Sequence, residues 1–385
     1  MNPALDSKLP DVGTTIFTVM SALAAEEGAI NLSQGYPDFD APRELLERVQ
    51  HYLTTGHNQY PPMAGAAPLR EAIAGKTAAL YGRQVDPATE VTVTAGATEA
   101  LFCAIAAVVR PGDEVILFDP AYDSYAPVVR LQGGVPRHVP LLSGSFLPDW
   151  NRVTEAMCDR TRLLVINSPH NPTGAVWTAA DMATLAEVTR DTGAFVLGDE
   201  VYEHMVYDGR EHLSIARYDE LYARSFVVSS FGKTYHATGW KVGYCVAPPA
   251  LTEEFRRIHQ FVTFTVNTPV QLGLADFLVA CPEHHLELPA FYQAKRDHFC
   301  SLLADSRFRF EPAAGTYFQL LDYAGISNEL DVTLARRWTG QHKVASIPIS
   351  VFYEDPAAAT GRWLRFCFAK DEATLTQAAE VLCSL

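Results

Sequence analysis

Lys233 follows the apolar run Phe226-Val227-Val228, within Ser229-Ser230-Phe231-Gly232-Lys233-Thr234-Tyr235-His236. A lysine among small residues at the edge of a buried strand is partly desolvated, which lowers its pKa and leaves an amine able to form an imine. A second cation, Lys241, comes soon after, in Thr238-Gly239-Trp240-Lys241-Val242-Gly243-Tyr244. Three further apolar runs also end in polar residues. Val91-Thr92-Val93-Thr94 leads into Ala95-Gly96-Ala97-Thr98-Glu99, small residues opening a helix whose free N–H groups and dipole suit a phosphate. The same turn is equally readable as a plain helix start capped by Thr94 or Thr98. Leu163-Leu164-Val165-Ile166 ends in Asn167-Ser168-Pro169-His170-Asn171-Pro172-Thr173-Gly174, where the prolines fix the backbone and Asn171 can present an amide to a ligand. Phe195-Val196-Leu197 runs to Asp199-Glu200-Val201-Tyr202, and a carboxylate at the end of an apolar strand calls for a cationic partner.

The elements that must position these residues can be read from the same runs. With Val115-Ile116-Leu117-Phe118 and Val242-Gly243-Tyr244-Cys245-Val246, they are short, β-rich and nearly continuously apolar. That pattern predicts strands of a mostly parallel sheet covered on both faces. Spacers such as 178–192 read as helices, giving an α/β core in which ligands bind outside the carboxyl ends of the strands. The apolar stretch between Glu99 and Arg110 is about half of the ~20 residues a membrane span needs and reads as a buried helix. Tyr317-Phe318-Gln319-Leu320 and Trp363-Leu364-Arg365-Phe366-Cys367-Phe368 are strand-like within a more helical tail, which suits a smaller α+β lobe. Alternation along the second of these turns Arg365 to the face opposite Leu364 and Phe366. The expected division is a large α/β domain over 46–274 and a small α+β domain made of 1–45 with 275–385.

Composition narrows the function. The chain has 385 residues, 48% of them hydrophobic and 19% charged, enough for two packed lobes and unlike a disordered sequence. A formal charge of −15 without a basic stripe argues against nucleic acid and anionic membranes as partners. Met1-Asn2-Pro3-Ala4-Leu5-Asp6 has neither the positive start nor the apolar stretch of a secretory signal, and the expected location is the cytoplasm. The seven cysteines are scattered without a C-x-x-C pair, as reduced core residues are. Cys281-Pro282-Glu283-His284-His285 lacks a second ligand pair, so no metal is expected there.

In their order along the chain, Asn171-Pro172-Thr173-Gly174, Asp199-Glu200-Val201-Tyr202, Ser230-x-x-Lys233 and Trp240-Lys241-x-Gly243 resemble the class I aminotransferases of pyridoxal-phosphate fold type I. Asn31-Leu32-Ser33-Gln34-Gly35-Tyr36-Pro37-Asp38-Phe39, 229–244 and Ile347-Pro348-Ile349-Ser350-Val351-Phe352 are most similar to the bacterial methionine aminotransferase branch, close to the kynurenine aminotransferases. The resemblance implies that Lys233 carries pyridoxal 5'-phosphate as a Schiff base. It also implies that Asp199 pairs with the ring nitrogen, that Asn171 and Tyr202 contact the ring hydroxyl, and that Tyr122 stacks on the ring. Gly96, Ala97, Thr98, Ser230 and Lys241 would hold the phosphate, with Tyr60 reaching in from the partner subunit of a homodimer. Arg365 would grip the substrate carboxylate, and Gly35 would bring backbone close to the substrate. Many family members have arginine where this chain has Lys241, a point charge in place of a planar fork.

The expected activity is ping-pong transfer of an amino group, from methionine and also from aromatic or other neutral amino acids, to a 2-oxo acid. Phe17, Tyr36 and Tyr60 are candidate aromatic walls for the donor side chain. A cysteine-conjugate β-lyase or a kynurenine- or glutamine-type aminotransferase remains open, because the cofactor performs the chemistry and small changes decide which bond breaks. A non-catalytic cofactor-sensing regulator would need an appended basic DNA-binding module, and the chain begins almost directly at the aminotransferase-like lobe.

Overall fold

The computed structural model describes residues 6–385, so the reading of Met1-Asn2-Pro3-Ala4-Leu5 lies outside the described residues. The strands in chain order are β1 (Ile30–Asn31), β2 (Val91–Thr94), β3 (Glu114–Asp119), β4 (Val135–Pro140), β5 (Thr161–Asn167) and β6 (Phe195–Asp199). They continue with β7 (Ser225–Ser230), β8 (Gly243–Val246), β9 (Phe318–Asp322), β10 (Val344–Ala345), β11 (Ile347–Pro348) and β12 (Trp363–Cys367). β2 to β8 form one seven-stranded sheet in the order β2-β8-β7-β6-β5-β3-β4. Only β8 runs against the rest, pairing antiparallel with both β2 and β7.

Both faces of this sheet are covered, which is why its strands are continuously apolar. Alternate residues feed two separate cores: Ile116, Phe118, Leu164 and Ile166 on one side, Val115, Leu117, Leu163 and Val165 on the other. The second core is closed by the helix Gly96–Val108, which contributes Ala100, Leu101 and Ala104. The first receives Met182 and Leu185 from the helix Ala179–Arg190. That helix starts in a capping box: Thr178 accepts from the Asp181 N–H, and the Asp181 side chain accepts from the Thr178 N–H. The two side chains thereby satisfy N–H groups that the first turn leaves free.

One strand of the sheet had no counterpart in the sequence reading. β4, Val135-Pro136-Arg137-His138-Val139-Pro140, is only partly buried and lies at the sheet edge. Two prolines are tolerated there because an edge strand has donors to spare.

A second sheet, in the order β11-β12-β9, is antiparallel. β1 pairs parallel with β10, and the helix Ile16–Glu27 packs on the helix Asp331–His342, so the N-terminal segment docks onto C-terminal elements. The long helix Glu283–Leu302 leads from the first group of elements to the second.

Candidate active site

β2, β5, β6 and β7 end at one edge of the large sheet, and β8, running the other way, begins there. A cavity of about 270 Å³ opens at this edge. It is lined by Phe17, Gly35, Gly96, Ala97, Thr98, Tyr122, Asn171, Asp199, Tyr202, Ser230, Lys233, Lys241 and Arg365, that is, by every candidate residue from the sequence except Tyr36 and Tyr60.

Lys233 stands on the short helix Phe231–Thr234, directly after β7. Its Nζ donates to the Tyr317 hydroxyl at 3.1 Å and to the Gly35 carbonyl at 3.2 Å, and lies 5.7 Å from the centre of the Tyr202 ring. Burial disfavours the ammonium and lowers its pKa to about 8, with Lys241 and Arg365 adding to the effect. Still mostly protonated at physiological pH, Lys233 nevertheless carries a far larger fraction of neutral amine than an exposed lysine, as a nucleophile and proton carrier requires.

Asp199, the last residue of β6, is buried, and burial raises its carboxyl to about 6. A 2.6 Å hydrogen bond from the Tyr125 hydroxyl works in the opposite direction, favouring the ionised form. A buried carboxylate with one hydroxyl partner is still short of the cation that would neutralise it. Asn167 donates from its amide to the Asp199 carbonyl at 2.8 Å and accepts from the Asn171 N–H at 2.8 Å, tying the ends of β5 and β6 together.

Arg365 is 0% exposed. It donates to Asn171 Oδ1 at 2.7 Å and to the Ser33 carbonyl at 2.9 Å, with its guanidinium 3.8 Å from the centre of the Phe318 ring. Its Nε–H finds no acceptor among the described residues. Burial pulls the guanidinium down to about 10, which marks how costly the charge is there without an anion.

The turn at the head of the helix Gly96–Val108 is held open for a ligand. Gly96 has φ +74°, and a Cβ there would stand 3.2 Å from Lys241 Nζ, so this position needs glycine both for its backbone and for the lysine's approach. Gly243, opposite, has room for no Cβ either: one would meet the Ala97 nitrogen at 2.8 Å. Glu99 supports the turn from inside by accepting from the Ala95 N–H at 2.5 Å, and it is paired with the buried His259. His259 bonds through its other ring nitrogen to the Met63 carbonyl at 2.9 Å.

Three features add detail to the sequence expectations. Gly35 is crowded by protein, since a Cβ there would come within 2.7 Å of the Phe318 ring. Tyr60 is 84% exposed and packs edge-on to Phe264 outside the cavity of its own chain. Tyr125, Asn167 and Tyr317 touch the chemistry but were not singled out. Tyr125 lies three positions beyond Tyr122 in Tyr122-Asp123-Ser124-Tyr125, and that spacing at a helix start was the available signal.

The donor set fits pyridoxal 5'-phosphate: a lysine whose pKa burial lowers to about 8, a buried carboxylate lacking a cation, a small-residue turn beside Lys241 for the phosphate and an arginine lacking an anion. Comparison with known proteins agrees. Residues 27–382 match the family model of class I and II aminotransferases, and the chain belongs to that family. It is 53% identical over 382 residues to methionine aminotransferase of Escherichia coli (strain K12), an alignment covering 99% of this chain and 98% of the relative. The crystal structure of Escherichia coli YbdL, described as identifying a methionine aminotransferase function, superposes with a TM-score of 0.97 at 53% identity, each chain covered in full. N-succinyldiaminopimelate aminotransferase of Mycobacterium tuberculosis superposes at 0.95 with 39% identity, over 99% of this chain and 100% of that one. The protein is a transaminase with a fold type I architecture, and its cofactor is pyridoxal 5'-phosphate.

Proposed function

We propose that this chain is a methionine aminotransferase that passes the amino group to a 2-oxo acid in two half-reactions. The observation that carries the reading is the pairing, in one cavity, of Lys233, its pKa lowered by burial, with the buried Arg365, whose Nε–H lacks an acceptor among the described residues. The 53% identity to the Escherichia coli enzyme supports methionine as donor.

When bound, the cofactor supplies an electron sink for the charge that develops at the substrate Cα. Arg365 takes the α-carboxylate, and the resulting charge-assisted bonds fix the direction of the Cα–H bond. Phe17 and Phe318, both lining the cavity, offer apolar surface to the donor. Asp199 would hold a proton on the ring nitrogen, and the hydrogen bond from Tyr125 favours the ionised carboxylate that this needs. Asn171 and Tyr202 would hold the ring hydroxyl, Tyr122 would stack on the ring, and Ser230, Lys241 and the Gly96-Ala97-Thr98 turn would hold the phosphate. Lys233 Nζ then moves the proton from the substrate Cα.

The same proposal assigns 46–274 to the cofactor-binding domain and 1–45 with 275–385 to the small domain. It also makes the working unit a homodimer, with Tyr60 reaching the phosphate of the partner subunit. A cytoplasmic location is part of the same proposal; no helix among the described residues is long and apolar enough to cross a membrane.

The test is an absorbance spectrum of the cofactor-loaded protein before and after methionine and then a 2-oxo acid, with Lys233→Ala as control. A visible band that methionine bleaches and the oxo acid restores is the expected result. A band bleached by aspartate far more readily than by methionine rejects the donor assignment.

A further inference from the structure

Behind the site, away from the cavity, lies a buried charged cluster that the reaction does not use. Its hub is Glu203, on the turn immediately after Tyr202. The carboxylate accepts from Lys76 Nζ at 2.6 Å and the Tyr244 hydroxyl at 3.1 Å, and also from the hydroxyls of Tyr81 and Ser229. Lys76 and Glu203 are both buried. Burial alone would raise the carboxyl; Lys76, His204 and the bonds from Lys76 and Ser229 outweigh it and hold it ionised, well below its usual range.

Two of these partners, Ser229 and Tyr244, lead to parts of the cradle. Ser229 is the neighbour of Ser230 on β7, Tyr244 is the neighbour of Gly243, which presses on Ala97, and Glu203 itself is bonded through the chain to Tyr202. Lys76 and Tyr81 come from one helix, Ala67–Tyr81, which touches none of the ligand groups itself. One carboxylate therefore joins three ligand-bearing segments to a fixed external support. A charge buried with four donors is costly as a stability device, since replacing such a pair by apolar groups is often neutral or better. Its particular contribution is to fix one arrangement of the segments it joins.

We propose that Glu203 is a positioning residue for the cofactor cradle, setting Ser230 and the Gly96-Ala97-Thr98 turn at phosphate-binding distance through Ser229 and Tyr244. This rests on the reading of that turn and Ser230 as the phosphate site.

The test compares cofactor affinity in the full-length apoprotein for pyridoxal 5'-phosphate and for pyridoxal, which lacks the phosphate, by quenching of tryptophan fluorescence. The variants are Glu203→Gln, the charge-neutral pair Glu203→Gln with Lys76→Met, and Ser229→Ala, which leaves the carboxylate its other donors. Affinity for the phosphorylated form should fall about 30-fold in the Glu203 variants, and by less in Ser229→Ala, as expected for lost charge-assisted bonds. Affinity for pyridoxal should fall less than about 3-fold, with the urea midpoint of Ser229→Ala near wild type. Equal losses for both ligands, or no loss in any folded variant, would overturn the proposal. Should Glu203→Gln fail to fold, Ser229→Ala decides it. Wild-type protein that binds the two ligands equally well would instead reject the phosphate-site reading on which the proposal depends.

Discussion

At the scale of single residues, burial does the chemical tuning. Lys233 is brought to about 8 by desolvation first, with the nearby cations Lys241 and Arg365 adding to it. Only the neutral amine attacks the cofactor aldehyde, so the rate of reconstitution of apoprotein should rise with pH and reach half its maximum near 8. An exposed lysine would place that midpoint near 10.4. Stopped-flow absorbance across pH 6 to 11 measures it, and a midpoint above about 10 would contradict the desolvation argument. Arg365 gives a second prediction. Lysine in its place keeps a charge but loses the planar fork, the bond to Asn171 and the stacking on Phe318. Arg365→Lys should lower kcat/KM for methionine about 100-fold, in line with a few kcal/mol for a buried charged pair, and leave the visible band of the loaded protein unchanged. If kcat/KM stays within a factor of three, Arg365 is not the carboxylate site.

At the scale of elements, the strands that carry the site were legible because burial on both faces gives them long apolar runs, each ended by a polar residue that must do something. β4 was not, since an edge strand with prolines and exposed positions has no such signature. β1, β10 and β11 are two residues each, too short for any period to be counted, and exist because of the partners they pair with. The same limit applies to the site. Lys233, Asp199 and Asn171 sit at strand ends and could be found by position, whereas Tyr317 reaches Lys233 only through the packing of distant segments. Local signals also make energetic predictions. The spacer 178–192 was legible as a helix, and its start is held by the capping box at Thr178, where Thr178→Ala removes a side-chain acceptor from the Asp181 N–H. It should cost about 1 kcal/mol in urea unfolding with kcat unaltered, because the helix packs on the sheet away from the cavity. A change in kcat without loss of stability would show that the helix does more than support the core.

At the scale of the whole molecule, one surface is left unexplained by the single chain. Tyr60 is 84% exposed, Phe261 86%, and Phe264 lies beside Tyr60 at 5.8 Å between ring centres. Large aromatics gathered at one place on a surface are unusual for a monomer and suit an interface. A two-fold dimer would apply the same patch from both subunits and place each Tyr60 at the other's cavity. This makes a prediction that no single-subunit arrangement shares. Lys233→Ala and Tyr60→Phe are each expected to be impaired alone, the first through loss of the amine, the second through loss of a phosphate contact. In a mixed dimer, the subunit that keeps Lys233 receives Tyr60 from its Lys233→Ala partner, so one complete site is rebuilt. Unfolding and refolding the two variants together, in equal amounts, should therefore give about a quarter of wild-type activity on top of about a quarter of the activity of Tyr60→Phe alone, since about half the dimers are mixed, each with one native site of two, and about a quarter are Tyr60→Phe homodimers. Activity equal to the mean of the separate variants would mean that Tyr60 acts in its own subunit or not at all. Recovery towards a quarter would place the phosphate site across the interface and make the dimer a requirement of the chemistry.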